Sequence, residues 1–100
     1  MKVGIMLLYP NMTQAKYDEV ERELKRNDQP AAGEVLSIVG PLEGGWQVVD
    51  VWESQDVFET YMRDKAKPVL QRLGIQDPAV TIRWGLRRVI GRSRWGRDPR

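Results

Sequence analysis

The residues best suited to do chemistry lie on one short stretch, Trp46-Gln47-Val48-Val49-Asp50-Val51-Trp52. In a strand, successive side chains alternate between faces, so Trp46, Val48, Asp50 and Trp52 point one way while Gln47, Val49, Val51 and Glu53 point the other. A carboxylate between two indoles loses much of its hydrating water and is placed to accept a proton from a weakly acidic substrate. The alternative is a buried ion pair, with Arg83 or Arg63 as the partner. Trp52 serves either as the wall of a small-molecule pocket or as plain core. Tyr61 and Tyr9 are candidates to donate hydrogen bonds to a carbonyl or enolate oxygen, or are core tyrosines with their hydroxyls at the surface. Arg83 could pair with an anionic substrate or with a structural carboxylate. Phe58, Met62 and Trp84 complete the candidate apolar lining. Trp46 reads as core or dimer packing, and Asn11 as turn chemistry.

What the chain lacks narrows the chemistry further. It contains no His and no Cys, which removes imidazole bases, thiolate nucleophiles, disulfides, and His or Cys ligation of zinc or heme. The carboxylates are spread along solvated helix faces without ligand spacing. An all-carboxylate metal site stays possible in principle, and any catalysis must use Asp, Glu, Tyr, Arg, Lys, Trp, Asn, Ser or the backbone.

Hydrophobic residues make up 41% and charged residues 30% of the 100 residues, a single soluble-type domain. The net charge of +2 hides an asymmetry: residues 1–82 hold nine Lys/Arg against thirteen Asp/Glu, and residues 83–100 hold seven Arg against Asp98 alone. Residues 91–100 lack periodicity and read as a basic, disordered tail. Arg92, Arg94, Arg97, Arg100 and Trp95 could engage phosphates and bases, but nothing else in the chain supports a nucleic-acid partner. No apolar run is long enough to span a membrane, and the apolar start, Val3 to Tyr9, reads as a strand of a cytoplasmic protein.

These residues need elements to hold them. Residues 2–9 form a strand, and Thr13 caps a helix whose Met12 and Tyr17 can staple its start. That helix ends near Lys25 to Asn27. A strand from Glu34 to Val39 turns through Gly40 to Gly45 into the Trp46–Trp52 strand. Ser54 caps a second helix along Val57, Phe58, Tyr61, Met62, Ala66, Val69, Leu70 and Leu73, with a kink or restart expected at Pro68. Gly74 stops it, and Ala79 to Val89 alternates as a fourth strand. The order is βαββαβ, an α+β ferredoxin-like arrangement over residues 1–90. Two helices cover one face of a four-stranded antiparallel sheet. The other face is too apolar for water, which points to a homodimer.

Val51-Trp52-Glu53-Ser54 followed by Phe58 resembles the Trp-Glu-Ser-x-x-x-Phe block of the antibiotic-biosynthesis-monooxygenase-like domains, within the dimeric α+β barrel superfamily. The Gly-Gly-Trp start of the third strand and Met12-Thr13 are similar to small members of that group. In its oxygenases the Trp of the block, here Trp52, lines a pocket between helices and sheet. It acts there with a strand-one Asn and commonly a helix-two His. The corresponding positions here, Leu7 to Tyr9 and Met62 or Arg63, carry neither, which removes the heme-degrading activity. The resemblance implies a small cofactor-independent enzyme of secondary metabolism. Its substrate would be a hydrophobic aromatic or polyketide-like molecule, undergoing oxygenation or proton-transfer-driven cyclisation or isomerisation. The alternative it allows is a non-catalytic ligand-binding or dimerisation module.

Overall fold

The computed structural model describes residues 1–26 and 29–86, with Ile82, Arg83, Trp84 and Leu86 described by backbone alone. Strand β1 (Lys2–Pro10) leads to α1 (Gln14–Leu24), then β2 (Glu34–Leu42) and β3 (Gly45–Trp52). Helix α2 (Gln55–Tyr61) passes through a π-helical turn (Met62–Ala66) into α3 (Lys67–Arg72), and β4 (Ala79–Leu86) closes the sheet. The strand order is β2-β3-β1-β4, with every pairing antiparallel. This is the ferredoxin-like α+β topology that the element order implies.

Local chemistry sets the element ends. Thr13 accepts from the Lys16 amide at 3.1 Å and Ser54 from the Val57 amide at 3.1 Å, so each hydroxyl satisfies a first-turn donor that the helix leaves free. Strand β2 runs three residues further than the apolar pattern suggested, to Leu42, so the hairpin turn shrinks to Glu43 and Gly44, with Gly44 at φ +81°. Asn11, also left-handed, donates its amide to the Gly44 carbonyl at 2.7 Å and ties the two chain reversals together.

The second helical rod restarts as α3 at Lys67, with Pro68 in its first turn, after a widened turn in which the Lys67 amide donates to the Met62 carbonyl five residues back. Widening shifts the register just ahead of the proline, whose ring would otherwise press on the Asp64 carbonyl.

Val3, Ile5, Leu7 and Tyr9 of β1 stand opposite Trp52, Asp50, Val48 and Trp46 of β3. All eight are buried under the helices, together with Tyr17, Val20, Phe58, Val69 and Leu70. Strand β3 shows strict alternation, with Trp46, Val48, Asp50 and Trp52 buried and their neighbours half-buried. On the opposite, helix-free face Leu36, Ile38 and Leu42 are exposed beside half-buried Val49 and Val51. Residues 87–100, with the end expected for β4 and the whole basic tail, lie outside the described residues.

Candidate active site

Asp50 occupies the middle of β3, between Ile5 of β1 and Ser37 of β2 in the ladder, and is 3% exposed. Its Oδ2 accepts a hydrogen bond from Trp52 Nε1 at 3.2 Å, which residues two apart on one strand face can make without distortion. Its Oδ1 is buried with no donor. Trp52 is fixed in turn by Phe58, edge-on at 5.7 Å, and by Tyr61, tilted at 5.2 Å.

A second buried carboxyl, Glu34, joins Asp50. Regular pairing back from Leu36 opposite Val51 would set Val35 opposite Trp52 and turn Glu34 to the helix-free face. A β-bulge between Glu34 and Leu36 instead brings Glu34 opposite Trp52, facing the helices. The approach to the bulge is tight. Gly33 has φ +87°, its carbonyl accepts from the Glu53 amide at 2.9 Å, and a Cβ on it would meet Val57 Cγ1 at 2.3 Å.

Glu34 Oε1 accepts from the Ala31 amide at 3.0 Å and from the Arg26 guanidinium, while Oε2 is buried with no donor. The Glu34 and Asp50 carboxyls lie within hydrogen-bonding reach of each other. Burial, the Asp50 charge and that contact push Glu34 up to about 7, against the opposing pull of the Ala31 amide and Arg26.

Arg26 is the cation of the site. Lys25, at φ +57°, ends α1 in a left-handed turn, and Arg26 follows it to reach Glu34 and, at 3.4 Å, Glu21. Burial works against the guanidinium charge, but Glu34 and Glu21 outweigh it and hold the proton more firmly than usual.

Asp50, Trp52 and Arg26, together with Tyr9, Tyr17 and Tyr61, are among the residues lining a cavity of about 30 Å³ between sheet and helices. A buried water needs roughly 10–15 Å³ of such space, so the cavity has room for on the order of one or two waters and none for an aromatic ring. Burial raises all three tyrosines above their ordinary value, so their hydroxyls keep their protons and act as donors. Outside lies a cleft of about 700 Å³ that shares Leu24, Arg26 and Tyr61 with the cavity. That volume lies within the range of small-molecule sites. Arg26 and Tyr61 thus separate a polar interior from an open cleft.

The structure gathers Asp50, Trp52, Tyr9, Tyr61 and Met62 around this cavity. Phe58 backs Trp52 and, with Met62, also lines a separate surface groove of about 290 Å³. Arg63 is not the partner of Asp50: it is exposed, and its Nε donates to Asp64 Oδ1 at 2.8 Å, because its position on the π turn faces solvent. Arg83 and Trp84 are on β4, and their side chains lie outside what the structure describes. Trp46 is core, stacked on Tyr17 at 5.2 Å. Glu34, Arg26, Tyr17 and Glu21 enter the site from geometry alone. The one sequence signal for Glu34 is an acid opening an otherwise apolar strand.

Solved structures share the βαββαβ fold of this chain. SnoaB, a cofactor-independent oxygenase from Streptomyces nogalater, superimposes with a TM-score of 0.57 at 14% identity, over 91% of this chain and 97% of its own. A candidate antibiotic biosynthesis monooxygenase from Deinococcus radiodurans gives 0.53 at 15% identity, over 93% of this chain and all of its own. The chain shares its ferredoxin-like α+β fold with these two proteins. At such identities the likeness concerns the fold of these monooxygenase-like domains and not their residues. No family model matches the chain, and no curated protein matches it. Among the described residues no group of three carboxylates gathers to hold a metal ion, and no helix is long and apolar enough to cross a membrane.

Proposed function

We propose that the chain is a cofactor-independent enzyme that removes a proton from a hydrophobic, aromatic or polyketide-like substrate. The observation that carries this reading is Asp50: buried, oriented by Trp52, and lining the cavity with one oxygen free of donors. Asp50 is the base, Trp52 holds it in position through the indole hydrogen bond, and Tyr61 with Arg26 are the donors to the oxygen on which negative charge develops. The resulting enolate or phenolate can pass electrons to dioxygen or attack another carbon of the same molecule. The fold shared with SnoaB supports the first outcome at the level of kind. The substrate lies in the outer cleft, and the Arg26–Tyr61 partition shifts to admit its acidic carbon. The helix-free face, apolar at Leu36, Ile38, Val49 and Val51, supports a homodimer in which two copies cover each other.

The small size of the inner cavity favours a second reading, a ligand-binding module that holds a hydrophobic molecule in the outer cleft without turning it over. Asp50→Asn decides between them, because the amide keeps the shape and cannot take the proton. The enzyme reading expects loss of turnover of polyphenolic substrates with ligand affinity retained. Wild-type protein that binds such compounds and consumes none of them removes the enzyme reading.

A further inference from the structure

Among the described residues, two buried side-chain carboxyl oxygens have no donor, Glu34 Oε2 and Asp50 Oδ1. They belong to neighbouring carboxyls on adjacent strands, each within a tenth of full burial. The remaining oxygen of each is already used, by Ala31 and Arg26 for Glu34 and by Trp52 for Asp50. Two buried carboxylates this close repel strongly, and one proton between them removes the repulsion and satisfies both orphaned oxygens.

We infer that Glu34 and Asp50 share a single proton and work as one proton-accepting pair, with Arg26 as its counter-charge. The upward push on Glu34 to about 7 agrees with this arrangement. The groups facing the pair are Arg26 after α1, Glu21 and Tyr17 on α1, Tyr61 on α2, and Tyr9 on β1. Singly protonated, the pair carries one negative charge against Arg26, which it shares with Glu21, and the neighbouring tyrosines stay neutral.

The catalytic consequence rests on the proton abstraction proposed above; the shared proton does not. In that step a substrate C–H or O–H bond breaks and its electron pair stays on the substrate as an enolate or phenolate. The proton bonds to the pair, which passes from a charge of −1 to 0. Glu34 therefore sets how strongly Asp50 attracts the proton without touching substrate. Once the pair has lost its own proton, it carries two negative charges and attracts the substrate proton more strongly.

Carbon-13 carboxyl NMR of the full chain, titrated from roughly pH 3 to 9, tests the pair without any substrate. The Glu34 and Asp50 carbons are each expected to report the same two steps, the upper one near neutrality. In Glu34→Gln the Asp50 carbon should titrate once and lose the upper step. Two independent single steps, with the Asp50 curve unmoved by Glu34→Gln, would overturn the inference. If that variant does not fold, the wild-type curves decide alone, with Asp50→Asn read at Glu34 as the mirror test. Coupled titration in a protein without turnover would sustain the pair and remove the enzyme reading. Turnover with uncoupled titrations would do the reverse.

Discussion

At the scale of single residues, the balance among Arg26, Glu34 and Asp50 makes stability depend on pH in a definite direction. Glu34 is raised from its ordinary 4.5 to about 7 in the folded chain, so between these values the fold binds a proton that the unfolded chain releases. Its stabilising contribution is therefore complete below about 4.5 and is lost as the pH rises through about 7. The melting temperature should fall across that interval, and Glu34→Gln should flatten the slope, as thermal melts in a pH series would show. Arg26→Met probes the same balance from the cationic side. Stranding a buried carboxylate typically costs about 3–5 kcal/mol. Because Glu34 can take a proton, the loss should sit near the lower end and shrink further on the acid side of neutrality. Denaturant midpoints that shift equally at both ends of the pH range would contradict this account. Asp50 and Trp52 could be placed from the sequence, since strict alternation on a two-sided strand fixes their face. Arg26 could not, because its direction depends on the left-handed turn at Lys25.

At the scale of elements, caps and stops follow from local chemistry, so Thr13, Ser54 and Gly74 mark their boundaries in the sequence as they do in the fold. The π turn and the bulge did not show, because each is a one-residue change in register that no hydrophobic period encodes. Gly33 is the point where the approach to the bulge can be tested. Its left-handed backbone costs an alanine about 1–2 kcal/mol, and the added methyl also collides with Val57. Gly33→Ala should be destabilised beyond the backbone cost alone, and Gly33→Ala with Val57→Ala should recover the collision part. A double-mutant cycle on unfolding free energies with no coupling would show that Val57 moves aside freely.

Over the whole molecule, the sheet buries one face under helices and leaves the other partly bare, with Ile38 on the edge strand β2 at 59% exposure. Two-sided apolarity in strands one and three made this face predictable from the sequence, whereas the narrowness of the inner cavity depends on how the helices seat and had no signal in the chain. If a second copy covers the bare face, sedimentation should give twice 11.6 kDa. Ile38→Lys should then reduce it to a single copy with the circular dichroism of the monomer fold intact. Wild-type protein sedimenting as one copy at micromolar concentration would remove the homodimer proposal.

The bulge on β2 also gives that strand slack. In an unbroken ladder, losing one residue reverses the facing of every side chain on one side of the gap, exchanging inside for outside. Val35 is surplus to the pairing, since Glu34 and Leu36 already stand opposite consecutive residues of β3. Deleting it would make the ladder regular and leave Glu34 still turned toward Asp50. Deleting Ser37, two positions on, would put one part of the strand out of phase with the other. Tolerance to shortening in this edge strand should therefore be confined to one position, next to its only charged residue.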